Sequence, residues 1–255
     1  MALIVLGVFL LKYSFVLLVL FINLLNAFEP GFTQDYYDVT DPKVKKIAFV
    51  DLLLPKIKQA EKQILSDRAF VKRFFKKYMF TYSLKSRVNL ERLIKLAKKY
   101  RIKQMYNEHE YLEKIDVIPV SLVLAQSAVE SAWGSSRFAR EGNNIFGEWT
   151  WGKKGLVPKG RDENARHKLR IFNTLDDSIK RYMLNLNRHR SYKEFRRLRA
   201  RHRAEGKAFT GLIAATTMTN YSQMRKAYNR LLAKVIKGNG FMGYEVNKQK
   251  ILAAQ

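Results

Sequence analysis

Residues Val117–Trp149, VIPVSLVLAQSAVESAWGSSRFAREGNNIFGEW, place one carboxylic acid, Glu130, near the end of an apolar helix. A helix is expected to follow Pro119, with Ser121 near its start. Val120, Val123, Leu124, Ser127 and Ala128 supply overlapping apolar or small faces, and Gly134 is its stop. Glu130 then lies in the last turn, where the helix dipole places partial negative charge. Val129, Trp133 and Phe146 are apolar neighbours that desolvate it further. Both effects disfavour the ionised carboxylate and push its pKa upward. A glutamate that stays protonated near neutral pH can donate to a leaving glycosidic oxygen. By helical periodicity alone, a solvated surface glutamate is the commoner occupant of such a position.

Working outward, Asn144–Trp151 has strand character, with Ile145, Phe146, Trp149 and Trp151. A Gly/Pro/Lys-rich stretch, Gly152–Arg161, separates it from His167–Phe172, where Leu169 and Ile171 alternate with charges. The pair predicts a small hairpin lobe. Three helices are predicted to close the chain. Thr174 caps Ile179–Asn187, Ser191-x-x-Glu194 forms a capping box before Phe195–Arg203, and Ser222 caps Gln223–Lys237. On the N-terminal side, residues 29–41 read as an extended linker. Asp41-Pro42 is an N-cap followed by proline at the first helical position. Pro55 is expected to kink or divide the helix that follows. Phe70, Val71, Phe74, Phe75 and Tyr78 give a second helix its apolar face, and Asn89 caps a third, Leu90–Tyr100. The pattern is mainly α (α+β): a helical domain with one small β-hairpin, preceded by a basic helical region. The expected boundaries are 1–28, a leader or anchor; 29–41, the linker; 42–107, the basic helices; 108–240, the principal domain; and 241–255, a tail.

Composition narrows the partners. The 255-residue chain carries 48 Lys plus Arg against 22 acids, a net charge of +26. Within Lys43–Lys103 there are 19 basic and 4 acidic residues. Such a surplus favours an anionic partner: nucleic acid, anionic lipid or an acidic wall polymer. The absence of cysteine excludes a disulfide framework and thiolate metal sites. The four histidines, His109, His167, His189 and His202, lack ligand spacing, so no metal or other cofactor is expected. Leu3–Leu25 is almost continuously apolar, with Lys12 its one charge, which reads as a signal peptide or a membrane anchor. The rest of the chain is then expected in the periplasm or cell envelope, where a specific nucleic-acid partner is unexpected.

The stretch Ala125-Gln126-Ser127-Ala128-Val129-Glu130-Ser131-Ala132-Trp133-Gly134, followed by Asn143-Asn144-Ile145-Phe146-Gly147, resembles the signature of bacterial peptidoglycan-cleaving glucosaminidases. These are enzymes of the glycoside hydrolase family 73 type with a lysozyme-like fold, and the pattern is similar to their Bax-type branch. Gly155–Lys159 and Tyr182–Asn187 add to the likeness, which covers roughly residues 108–238. The resemblance implies hydrolysis of the β-1,4 bond after N-acetylglucosamine, with Glu130 at the general-acid position. It also implies a cleft walled by Ser131–Gly134 and Asn143–Phe146. Thr217-x-x-Asn220-Tyr221 resembles the end of a motif that reads Tyr-Ala-Thr-Asp-Pro-Asn-Tyr. Tyr221 is thereby a sugar-site candidate, while Ala215 replaces the motif's first aromatic. A packed tyrosine between helices is nearly as good a reading of Tyr221.

A two-acid glycosidase needs a partner carboxylate, which the resemblance places in the β-lobe. Glu163 ranks first there, ahead of Asp162 and Glu148. The substrate's own acetamido group is the alternative nucleophile. Trp133, Trp149 and Trp151 offer faces for pyranose stacking. Asn144, Phe146 and Tyr221 complete the candidate substrate-binding set with Trp133 and Trp149. Three further readings compete with the glucosaminidase: a lytic transglycosylase-like enzyme, a non-catalytic glycan-binding scaffold of the envelope, and a basic nucleic-acid binder. The expected partners are peptidoglycan strands and an anionic membrane surface.

Overall fold

The computed structural model describes residues 28–79, 84–160 and 165–245. The apolar run Leu3–Leu25 and the candidate acids Asp162 and Glu163 lie outside these residues. Among the described residues, no helix is long and apolar enough to cross a membrane.

The segment expected to be a linker is packed. It forms a short helix, α1 (Gln34–Asp38), and buries Phe32 and Tyr36. Helix α2 (Pro42–Arg73) starts where the sequence indicates, with the Asp41 carboxylate accepting from the Lys43 and Val44 amides at 2.6 and 3.2 Å. It then runs unbroken through Pro55, against expectation. Pro55 and Asp51 are both exposed, so the Asp51 carbonyl that loses its helical donor faces water. The aromatic run expected to begin a second helix instead continues the first, ending in a π-turn, Phe74–Tyr78. Helix α3 (Leu84–Tyr100) begins five residues before Asn89, which therefore does not cap it.

Helix α4 (Glu108–Lys114) leads to α5 (Val120–Ser131), the central helix, on which Val120 through Ala128 are buried without exception. A helix buried on every face must have partners all around. Its partners include α2, the short α9 (Gly211–Ala215), α10 (Lys226–Gly238) and a closing 3-10 turn, Phe241–Tyr244. Helix α6 (Arg137–Gly142) follows, then a minimal hairpin of β1 (Trp149–Thr150) and β2 (Lys168–Leu169). The strands are antiparallel, with Trp149 opposite Leu169 and Thr150 opposite Lys168.

Helix α7 (Leu175–Arg188) is capped by Thr174, as its sequence indicates. Helix α8 (Lys193–Ala204) is not capped by Ser191; a 3-10 turn, Arg190–Tyr192, precedes it, and the His189 ring accepts the Ser191 amide. Nor does Ser222 cap α10, which begins after Arg225 at a positive φ of +49°. In both places the chain must turn sharply between packed helices, and tertiary geometry overrides the local capping preference.

One apolar cluster extends from Phe32 to Phe241 and joins the basic N-terminal helices to the rest. Phe49, Leu53 and Ile57 of α2 are fully buried, each contributing roughly 1.5–3 kcal/mol of burial. A polar tie reinforces the junction. Arg68 of α2 donates to the Leu112 and Ile115 carbonyls at 2.5 and 2.9 Å. It also faces Asp116, 1% exposed, which Arg203 grips at 2.5 and 2.7 Å. Arg199 completes the group, donating to the Asp116 and Val117 carbonyls. The result is a mainly α, lysozyme-like architecture with a two-stranded lobe.

Candidate active site

The end of α5 determines where Glu130 points. Three successive residues, Ala132, Trp133 and Gly134, have φ of +50, +56 and +75°. The Trp133 amide reaches back to the Ala128 carbonyl at 2.9 Å. The Ser131 hydroxyl donates to Ser127 and accepts from the Gly134 amide, at 2.6 and 2.8 Å. Such consecutive left-handed residues cost energy for non-glycines, and the buried Ser131 bonds hold them. Gly134 is also pressed by Phe32, whose ring atoms would lie 2.7 Å from an added Cβ. The turn sends Trp133 inward, edge-on to Phe49 with ring centroids 5.4 Å apart and against Phe241 at 6.2 Å. Tyr36 and Tyr37 latch it from outside by donating to the Trp133 and Gly134 carbonyls.

Glu130 remains at the mouth of this turn, partly buried. Its Oε1 accepts from the Tyr228 hydroxyl of α10 at 2.6 Å. The Tyr228 oxygen in turn accepts from Gln126 Nε2 at 3.1 Å, and Gln126 Oε1 accepts from the Tyr182 hydroxyl of α7 at 2.5 Å. With the Gln126 amide oriented in this way, every bond in the chain runs toward Glu130. Gln126 spends its amide on Tyr228, so Tyr228 has one proton, and it goes to Glu130. An acid proton on Glu130 accordingly sits on Oε2. That oxygen lies near Gly147, at 3.7 Å from where a Cβ would be, and the φ of +66° there favours glycine. Burial raises the Glu130 pKa, and the Tyr228 bond opposes part of that rise. Burial, and after it the nearby carboxylate, raises the pKa of Tyr182, Tyr192, Tyr221 and Tyr228. Glu130 is thus ringed by neutral phenols, an apolar-bodied setting with hydroxyl tips.

The other sequence candidates occupy distinct places. Phe146 stacks on Tyr182 at 3.9 Å, and its carbonyl accepts from the Tyr221 hydroxyl at 3.1 Å. Tyr221 lies parallel to Tyr228 with centroids 5.6 Å apart. These rings buttress the Tyr182–Gln126–Tyr228 chain. Asn144 is buried and ties the loop to the hairpin: its amide donates to the Glu148 and Arg170 carbonyls, both at 2.9 Å, and its Oδ1 accepts the Glu148 amide. Asn143 fastens the N-terminal segment through Gly31 and Glu29. Glu148 is ion-paired to Arg181 at 2.5 Å and faces Arg170 at 3.6 Å. Trp149 and Trp151 are 51% and 72% exposed with ring centroids 6.3 Å apart, and His167 stacks on Trp149 at 4.4 Å. The structure brings Glu130, Phe146 and Tyr221 together, and sets Trp149 and Trp151 on the open surface of the hairpin.

Three residues central to this arrangement, Gln126, Tyr182 and Tyr228, escape the sequence reading as a hydrogen-bonded set. A buried tyrosine hydroxyl needs a partner, which flags Tyr182 and Tyr228 singly but does not pair them across three helices. Among the described residues, no group of three or more His, Asp and Glu is placed to hold a metal ion.

Residues 90–241 match the family described as "Glucosaminidase: Mannosyl-glycoprotein endo-beta-N-acetylglucosaminidase". The chain is 32% identical over 203 residues to Protein bax of Escherichia coli (strain K12), covering 76% of this chain and 70% of that protein. No solved structure matches significantly. With the match spanning more than half the chain, including α5, the Glu130 turn, the hairpin and α10, this protein belongs to the glucosaminidase family of glycan hydrolases.

Proposed function

We propose that this protein is an exported peptidoglycan hydrolase that cleaves the β-1,4 bond after N-acetylglucosamine, with Glu130 as general acid. The observation that carries the reading is the environment of Glu130: a burial-raised pKa, Oε1 committed to Tyr228, and Oε2 beside the glycine at 147. Oε2 protonates the glycosidic oxygen as its bond to C1 breaks. The positive charge growing at C1 then needs an anionic or nucleophilic neighbour. Glu163 on the hairpin connection, or the acetamido oxygen of the sugar itself, fills that role. Glu148 is less suited, because Arg181 and Arg170 already engage its carboxylate. The exposed Trp149 and Trp151 give the hairpin an apolar platform for further sugars of a long strand. The Leu3–Leu25 run supports export, either as a cleaved leader or as an anchor holding the domain at the inner membrane.

The test is digestion of purified peptidoglycan by the protein and by Glu130→Gln, with mass spectrometry of reduced products. Fragments ending in reducible N-acetylglucosamine, absent with the variant, support the proposal. Anhydro ends reassign it as a transglycosylase, and reducible N-acetylmuramic acid ends as a muramidase. A folded, wall-binding protein that cleaves nothing overturns the enzymatic reading on this substrate.

A further inference from the structure

Away from Glu130, a groove of about 670 Å³ runs between the C-terminal half of α2 and the end of α8. Arg68, Lys72 and Arg73 of α2 and Lys76 and Lys77 of the π-turn line it with Arg203 of α8, and no acidic side chain is among its lining residues. Two of these cations are built in. Arg68 is 7% exposed, its Nη1 donates to the Leu112 and Ile115 carbonyls, and its Nε has no hydrogen-bond partner. Arg203 is held in place by Asp116. That one carboxylate is shared among Arg68, Arg199 and Arg203, so the floor of the groove keeps a positive excess. At the rim, Lys72, Arg73 and Lys76 are exposed and, among the described residues, have no ion-pair partner.

The arrangement is costly by itself. Arg68, Lys72 and Lys76 repeat at i,i+4, as do Arg73 and Lys77, and like charges at that spacing destabilise a helix. The C-terminal dipole of α2 offsets part of this cost. It does not account for six cations lining one groove. The last two lysines also sit on the π-turn Phe74–Tyr78, which re-aims side chains relative to an ordinary helix.

We propose that this groove is a phosphate-recognition site, receiving a phosphomonoester or phosphodiester group between Arg68 and Arg203 on its floor and Lys72, Arg73 and Lys76 on its rim. Positive charge fixed on the floor, with converging cationic side chains on the rim, suits a multiply charged tetrahedral oxyanion. The inference does not rest on the glycosidase reading. The phosphate comes from a lipid headgroup or from a soluble phosphate compound, and the same experiment separates the two.

The test is lysine-acetylation footprinting of the full chain, read by mass spectrometry at constant ionic strength. The probes are chloride alone, pyrophosphate, vesicles of phosphatidylcholine, and vesicles with phosphatidylglycerol added. Lys58, Lys62 and Lys95, exposed on other parts of α2 and α3, are internal controls. Site-specific binding slows acetylation of Lys72 and Lys76 by about fivefold or more and that of the controls by less than about twofold. Protection by pyrophosphate without protection by phosphatidylglycerol identifies a soluble ligand; protection by both identifies the headgroup. The Arg73→Gln/Lys76→Gln variant binds pyrophosphate about tenfold more weakly, equivalent to ~1.4 kcal/mol. Uniform protection of all lysines, no protection, or an unchanged affinity in the variant overturns the proposal.

Discussion

Tyr228→Phe removes one oxygen and leaves the ring, which is 1% exposed and parallel to Tyr221. Two bonds are lost with it: the donor to Glu130 Oε1 at 2.6 Å and the acceptor for Gln126 Nε2 at 3.1 Å. Gln126 is fully buried and its carbonyl already serves Tyr182, so its amide is left without a partner. An orphaned buried donor costs about 1–3 kcal/mol, and a hydrogen bond to an ionised group contributes about 1.5–3 kcal/mol. The second quantity favours the carboxylate form of Glu130, so its loss raises the Glu130 pKa beyond the rise burial already imposes. If Glu130 acts as the acid, the alkaline limb of kcat/KM moves to higher pH. The loss of orientation lowers kcat by about 10–100-fold, at ~1.4 kcal/mol per factor of ten. Linkage gives a matching sign. An unfolded glutamate titrates near ~4.3, and the folded state holds the Glu130 proton to higher pH. Stability therefore falls as pH rises from the unfolded value through the folded one, and the variant extends that window upward. The assay is turbidimetric wall digestion across pH, beside urea melts at each pH. An alkaline limb that stays put or moves downward, in a variant shown to be folded, refutes the donor assignment for Tyr228.

Other expectations are simpler. Asp116→Asn leaves Arg68, Arg199 and Arg203 without their shared anion and costs about 3–5 kcal/mol at neutral pH in urea melts. The arginines hold the Asp116 pKa below its usual range despite burial. Its stabilisation is thus present above the unfolded value of ~3.9 and lost as pH falls through the folded one, so the variant's acid limb is flatter. Gly134→Ala meets both a left-handed backbone and the Phe32 ring, and loses at least about 2 kcal/mol by thermal melt. Trp151→Ala, at an exposed position, changes stability by less than about 0.5 kcal/mol. In wall digestion it raises KM with kcat retained, if the hairpin binds distal sugars.

The capping signals at Asp41 and Thr174 worked because each is satisfied within one helical turn by the residue's own side chain. Ser191 and Ser222 carry similar signals, yet the chain there turns between packed helices and begins its helices elsewhere. Pro55 gave the wrong local answer because its cost depends on whether the Asp51 carbonyl faces water, which burial decides. Residues 29–41 read as a linker because their polar and acidic character hides Phe32 and Tyr36, whose partners are about a hundred residues away.

By itself, the sequence determined a mainly helical chain with a small hairpin, and placed Glu130 near the end of an apolar helix, where burial raises its pKa. Both follow from short-range periodicity and from a contiguous motif. Tertiary structure alone decided that Tyr228 holds one oxygen of that glutamate, that Gln126 and Tyr182 fix the direction of the bond, and that basic residues scattered along α2 and α8 share one buried aspartate and one groove. Those relations join residues 48 to 135 positions apart, and nothing in local sequence encodes which distant partner a buried polar atom finds.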